Sequence, residues 1–484
     1  MKRPNLGAIG GTFLAVLGLI LVLRPIIDPD YYWHVRVGDL IRTTGHLPTV
    51  DVFSWMAAGH AWIDQEWGSN TILSFLAAAS GYIGPALFFA ILMFLLFGLA
   101  WYAMGIAGSE PAQPIVRGFM LLVIGAAGAP NLLARPQLFD SFFVLFALVG
   151  LLAYRRFGQT RLLLVMPLAM IFWVNLHGGG VPAYFLVVVA CGVGWWLDKR
   201  LGWSEPETRR SWTPIALSIA ATTLAIAVNP QGPAIYAYAL PTIFSNEAGR
   251  LINEWFSPDF HDPMNFGLLA YLGFNLFVLA TARIREMATI LLVAGFCMMA
   301  LFSIRYVGFF VPVSAVVLSP YVAILYRRSG RVADFVEGAR ISRPTIVILS
   351  GVTIVALVAR IVMVVIPGTL QEQSTRSLYP VEAVEWLATH PHGRIFNDYT
   401  WGGYIIWRTG EQVAIYGAGE TLGDNVLRQY RQVSTLETDP MTFFIAHDVR
   451  TVIVQSGSPL ATYLHERSDW WIADETGGAV IFVR

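Results

Sequence analysis

The chain has 484 residues, of which 56% are hydrophobic and only 13% charged, about half the roughly 25% charge of an ordinary soluble protein. A water-facing surface for the whole chain cannot be built from that, so an all-soluble protein of two or three domains is excluded. The 32 basic residues balance 32 acidic ones, which removes the basic excess that a nucleic-acid binder needs. The two cysteines, Cys191 and Cys297, sit in apolar runs as small buried hydrophobes and say nothing about redox compartment.

Eleven apolar stretches follow one another near 7–27, 84–106, 117–132, 138–154, 162–176, 181–197, 212–228, 266–282, 287–303, 307–326 and 344–366, close to the about 17 to 25 residues that cross a bilayer as a helix. The first is too long, and lacks a small-residue cleavage site, to be a removable signal peptide, so it is expected to stay as an anchor. With a cytoplasmic N-terminus, 17 of the 24 basic residues before position 368 fall in inner loops, including Lys2, Arg3, Arg209, Arg210, Arg340 and Arg343. The outer turns carry only Arg24, Arg36, Arg42, Arg135, Arg250 and Arg305, the asymmetry of the positive-inside rule. An odd number of spans then puts everything after residue 367 outside. The expectation is a polytopic α-helical membrane protein of about eleven transmembrane helices over 1–367, followed by a soluble extracytoplasmic domain over 368–484.

The first outer loop, 28–68, opens on Asp28-Pro-Asp-Tyr-Tyr-Trp-His34. Asp28 before a proline is a good N-cap and Gly45 a good stop, so 29–44 is predicted to be a helix lying along the membrane surface. Asp30 and His34 are four apart and can face one cleft, and Asp64-Gln-Glu66 closes the loop. Carboxylates at both ends of one loop suit a general base and a cation holder; the bland alternative is a helix cap and an aromatic belt. Further on, Asn175-Leu-His177 precedes three glycines that can bring backbone N–H groups close to a ligand. Glu254-Trp255 lies in a later outer loop. Arg305, and Arg135 before Pro136, stand almost alone where a guanidinium could hold a lipid phosphate or simply snorkel. All nine histidines are predicted external.

The tail changes composition. Short β-like runs at 394–397, 413–416, 451–454 and 479–483 alternate with helical patterns at 379–389 and 421–436, which suggests a small α/β domain. Trp401-Gly-Gly-Tyr404 suits either saccharide stacking or a core. Residues 368–484 hold 8 arginines against 14 carboxylates, a net of −6, and residues 1–367 hold 24 basic against 18 acidic residues, a net of +6. Neutrality is therefore a cancellation between a basic membrane part and an acidic tail.

These residues resemble the GT-C superfamily of integral-membrane glycosyltransferases. The resemblance is carried by Asp28-Pro-Asp-Tyr-Tyr-Trp-His34 with Gly38, Pro48-Thr-Val-Asp-Val-Phe-Ser54, Gln65-Glu-Trp67, Asn175-Leu-His-Gly178, Asn229-Pro230, Glu254-Trp255, Arg305-Tyr306 and Trp401-Gly-Gly-Tyr404. It implies a polyprenyl-phosphate-linked sugar as donor and transfer, with inversion, to an acceptor at the outer face of a bacterial cytoplasmic membrane. It further implies Asp30 or Asp28 as base and Glu66 as a second acidic group. Asp28, Asp30 and Glu66 would hold a divalent cation such as Mg or Mn where one is required. His34, Asn175, His177, Glu254, Arg135 and Arg305 would contact substrate, with Arg305 as the phosphate clamp. Many relatives carry adjacent Asp-Glu in this loop, whereas here a proline separates two aspartates. The competing readings are a transporter or flippase for lipid-linked saccharide, disfavoured because only Asp140 places an acid inside a span, and a catalytically silent saccharide-binding protein.

Overall fold

The structure, a computed structural model, describes residues 6–108, 113–203, 210–236, 253–339 and 342–484. Lys2, Arg3, Arg209, Arg250 and Arg340 of the charge argument lie outside the described residues. Each of the eleven apolar stretches folds as a helix: α1 (Leu6–Val22), α4 (Ile83–Ile106), α5 (Pro114–Gly128), α6 (Leu138–Phe157), α7 (Arg161–Leu176), α8 (Val181–Leu201), α9 (Thr213–Ala225), α10 (Phe266–Thr281), α11 (Met287–Phe302), α12 (Val307–Arg328) and α14 (Arg343–Val365). Among the described residues six segments, built on α4, α6, α8, α10, α12 and α14, are long and apolar enough to cross a membrane, and the other five of these helices are shorter. Two short helices precede α4 in the first loop, α2 (Tyr31–Thr44) and α3 (Trp67–Ser80), and the amphipathic α13 (Arg331–Gly338) precedes α14.

The chain divides into two compact units: one of residues 1–24, 86–233 and 254–365, the other of residues 25–85, 234–253 and 366–484. The first loop therefore belongs with the C-terminal segment rather than with the apolar helices. In the helical unit, α12 is buried along most of its length, whereas in α14 only Val364 and Val365 are buried. Between α1 and α5 a Cβ added at Gly118 would lie 1.9 Å from the Gly11 carbonyl oxygen, and one at Gly125 2.3 Å from that of Gly18. Small residues at this seven-residue spacing let the two backbones touch, the means by which helices associate where no hydrophobic drive exists.

The second unit carries a four-stranded sheet. Its strands are β1 (Arg394–Asn397), β2 (Val449–Gln455), β3 (Trp471–Thr476) and β4 (Ala479–Val483), in the order β1-β2-β4-β3, with β1 parallel to β2 and the other pairs antiparallel. Central β2 and β4 are almost continuously buried, as covered strands are. Around them lie α15 (Thr369–Leu378), α16 (Val381–Thr389), α17 (Gly402–Thr409), α18 (Gly419–Ser434), α19 (Pro440–Ala446) and α20 (Pro459–His465). The β-like run 413–416 does not join this sheet. It bridges the first loop: Val413 N–H donates to Phe53 O and Trp55 N–H to Val413 O, both at 3.0 Å, and Ser54 Oγ donates to Ala414 O at 2.6 Å. Trp401 and Tyr404 are buried, and a Cβ on Gly402 would lie 2.0 Å from Ile415 O, so the Trp-Gly-Gly-Tyr turn is core.

Candidate functional site

In the second unit the site begins at the entry to α2. Asp28 does not cap a helix starting at residue 29; its Oδ1 accepts the Asp30 N–H at 2.8 Å, so the helix starts two residues later with Asp30 in the N-cap position. Asp28 is buried, and its carbonyl accepts from Tyr379 Oη at 3.1 Å. Asp30 is half-buried and makes no side-chain cap; its Oδ1 accepts from Trp33 Nε1–H at 2.9 Å. That carboxylate fills the place a Cβ on Gly417 would take, so only glycine fits at 417. The expected stop is in place, with Gly45 left-handed at φ 72°.

One turn into α2, His34 is 1% exposed, its ring tilted against that of Trp33 with centroids 3.9 Å apart. Its Nδ1 lies 2.7 Å from Asn70 Oδ1, and Asn70 Nδ2 donates to both oxygens of Asp64, at 3.0 and 3.2 Å. Because the Asn70 amide must point its hydrogens at the carboxylate, its oxygen can only accept, which assigns the proton to His34 Nδ1. His34 Nε2 is then the nitrogen facing Glu66, 3.6 Å from Oε2. Burial raises Asp64 to about 6, against the opposing bonds from Asn70 and the Glu66 N–H. Asp64, Asn70 and His34 thus form a buried hydrogen-bonded chain, with the Glu66 carboxylate beside the far nitrogen of the imidazole.

The helical unit carries the other predicted residues. Arg135 grips Glu254 with two parallel bonds, Nη1 to Oε1 and Nη2 to Oε2, the latter at 2.7 Å. Arg305 approaches the same carboxylate at 4.0 Å and lies over the Trp255 ring at 5.3 Å. Burial alone would raise Glu254, but the charge and bonds of Arg135, then the charge of Arg305, outweigh it and hold Glu254 at about 2. Two guanidiniums thus converge on one ionised carboxylate. Nearby, His177 Nδ1 is 2.7 Å from Asp140 Oδ2, and Asp140 Oδ1 accepts from Trp173 Nε1–H at 2.7 Å. Both residues of this pair are almost wholly buried. Of the three glycines after His177, Gly180 serves this pair: an added Cβ would lie 2.3 Å from the Asp140 carboxyl carbon. Asn175 directs Nδ2 to Ile171 O and Val228 O, at 2.7 and 2.9 Å, tying α7 to the end of α9.

The predicted residues thus fall into two groups: Asp28, Asp30, His34 and Glu66 in one unit, and Arg135, Asn175, His177, Glu254 and Arg305 in the other. Asp28, Asp30 and Glu66 do not converge as a cation site, and among the described residues no three His, Cys, Asp or Glu side chains do. Asn70 and Asp140 went unassigned in the sequence. The available signals were an amide inside an apolar helix and a carboxylate at the edge of a span. Asp140 is not interior but lies in the first turn of α6.

The fold is similar to that of two solved proteins that are GT-C membrane glycosyltransferases. The oligosaccharyltransferase AglB of Archaeoglobus fulgidus, solved with an inhibitory peptide and a dolichol-phosphate, superposes with a TM-score of 0.54 at 12% identity, covering 97% of this chain and 73% of AglB. Apo ArnT of Cupriavidus metallidurans superposes with a TM-score of 0.55 at 14% identity, covering 98% of this chain and 96% of ArnT. No protein-family model and no curated protein matches the sequence.

Proposed function

We propose that the protein is a membrane glycosyltransferase that moves a sugar from a polyprenyl-phosphate donor to an acceptor at the outer face of a bacterial cytoplasmic membrane, with its N-terminus inside and its tail outside. The observation that carries this reading is the buried acidic cluster of the first loop, assembled around His34 in a chain of this fold. Asp30, the more accessible of the two aspartates, is the base. It takes the proton of the acceptor hydroxyl or amine as that atom bonds to the anomeric carbon from the face opposite the phosphate. The carbon–oxygen bond to phosphate breaks, and the lipid phosphate leaves with the electron pair. Arg305 and Arg135, two guanidiniums gathered at one point, supply cationic charge for that phosphate. His177, held by Asp140, contacts substrate. Asn175 positions the turn that carries His177.

The test is transfer from radiolabelled polyprenyl-phosphate sugars by the purified protein. Asp30→Asn is expected to lower turnover by about 10²- to 10⁴-fold, the usual contribution of a general base. Asp28→Asn should lower it less, because an amide oxygen still accepts the Asp30 N–H. Unchanged turnover in both variants would overturn the assignment of the base.

A further inference from the structure

Beside the acidic cluster, but lined by a different stripe of α2, lies a cavity of about 370 Å³. Residues 31, 35, 39 and 42 recur at helical spacing and turn one face of α2 toward it. Tyr31, Tyr32 and Trp407 give it aromatic walls, with the Tyr32 and Trp407 rings 4.9 Å apart. Asp39, Arg42 and Gln371 add planar polar groups. Several of their hydrogen-bonding atoms are uncommitted. Asp39 accepts from Ser74 Oγ at 2.6 Å and Arg42 Nη2 at 3.2 Å, but both bonds fall on Oδ1, and none among the described residues engages Oδ2. Arg42 uses Nε on Ser74 and Nη2 on Asp39, with no bond from Nη1 among the described residues. The Trp407 indole N–H likewise makes no bond among the described residues, and the residue is 41% exposed.

Charge decides what such a cavity can take. Arg42 is already matched by Asp39, so the walls carry no net positive charge and a phosphate finds no surplus cation. A purely apolar guest would leave Asp39 Oδ2, Arg42 Nη1 and the Trp407 indole N–H, which have no bond among the described residues, without a partner, at a cost per group. A neutral polyhydroxyl ring satisfies both: its C–H faces lie on aromatic rings, and its hydroxyls meet forked acceptors and donors. The lining stripe runs from Tyr31 to Arg42 and so passes alongside His34, with Asp39 five residues, about 7.5 Å, further along the helix axis. We propose that this cavity is a saccharide-binding subsite that takes one or two neutral sugar residues of a substrate glycan. It deepens the transferase reading and rests on it for the identity of the glycan as a substrate, whereas sugar binding itself can be measured without turnover.

The experiment is a titration of the purified full-length protein in detergent with methyl glycosides of glucose, galactose, mannose and N-acetylglucosamine, and with their disaccharides. Binding is followed by tryptophan fluorescence and calorimetry, and inorganic phosphate and glycerol phosphate serve as comparison ligands. At least one saccharide is expected to bind saturably, with affinity reduced at least about tenfold, the value of one or two lost contacts, by Trp407→Ala and by Asp39→Asn. Circular dichroism and melting temperature identify variants that keep the fold; Trp407→Phe, which keeps a ring, should restore part of the affinity. Asp30→Asn should bind the same saccharide as the unaltered chain does, which separates this site from the chemistry. No saturable binding of any sugar, binding indifferent to Trp407→Ala and Asp39→Asn in folded protein, or preferential binding of phosphate would overturn the subsite. Sugar binding with these dependences in a protein that transfers no sugar would retain the subsite and sink the transferase.

Discussion

Burial governs the charge of Asp64 in the first loop. An aspartate in an unfolded chain titrates near 4, and burial holds this one at about 6. The folded state therefore binds the proton more tightly, and stability falls as pH rises from about 4 to about 6; the penalty is fully present above that window and absent below it. The difference between the two states is worth about 2 to 3 kcal/mol. Asp64→Asn keeps an oxygen for the Asn70 amide and removes the charge. Thermal unfolding in detergent should show the variant more stable than the parent at pH 7 and equal to it at pH 4; parallel pH profiles would refute the buried charge. Asp28, Asp30, His34 and Glu66 were legible in the sequence because polar residues are dense at both ends of one loop. Asn70 was not, because an isolated amide in an apolar helix has the same appearance whether it faces lipid or a histidine.

At the scale of elements, the close crossing of α1 and α5 makes the sharpest demand on sequence. A Cβ at Gly118 would sit 1.9 Å from the Gly11 carbonyl, while one at Gly98 in α4 meets nothing within 4 Å. The same substitution should therefore give different results at the two positions. Gly118→Ala must force the helices apart and cost about 1 to 3 kcal/mol, as overpacking does, whereas Gly98→Ala should be neutral or slightly stabilising through helix propensity. Comparison of melting temperatures of the two variants checks this, and equal effects would refute the crossing. The positions of all eleven apolar helices were legible, since hydropathy reports them directly, but their ends were less so. α1 stops at Val22, before Arg24-Pro25, where the residue preceding a proline is disfavoured in helical conformation, whereas α5 stops at Gly128 although Ala129, before Pro130, keeps helical dihedrals and its N–H still bonds Gly125 O. β3 was missed because Trp471-Ile-Ala-Asp-Glu-Thr476 is a largely exposed edge strand without continuous apolar character. The run 413–416 has the apolar content of a strand, but its backbone bonds go to residues 53–55 and to the Asn397 side chain rather than to a neighbouring strand of the sheet.

For the whole molecule, composition locates a boundary at the end of the last apolar helix, but composition cannot show which earlier segment the tail folds with. The first loop and the tail are far apart in sequence and share one core. The Asp51 carboxylate accepts from Tyr416 Oη at 2.8 Å, Trp55 Nε1 donates to Ile395 O at 2.8 Å, and Gln412 Nε2 donates to Val52 O at 3.0 Å. Asp51, Tyr416, Val413 and Ile415 are all buried together with Ser54. Remove the tail, and the loop loses the partners of these groups and exposes the aromatic face of α2, so its own short helices lack enough buried surface to stay folded. A chain ending at residue 365 should therefore keep the apolar helices and insert, while residues 28–66 become open to protease and transfer activity disappears. Limited proteolysis of the full and shortened chains in the same detergent, read by peptide mass, measures this directly. Protection of residues 28–66 in the shortened chain would show that the loop folds without the tail, and the acidic cluster would then owe its geometry to α2 and α3 alone.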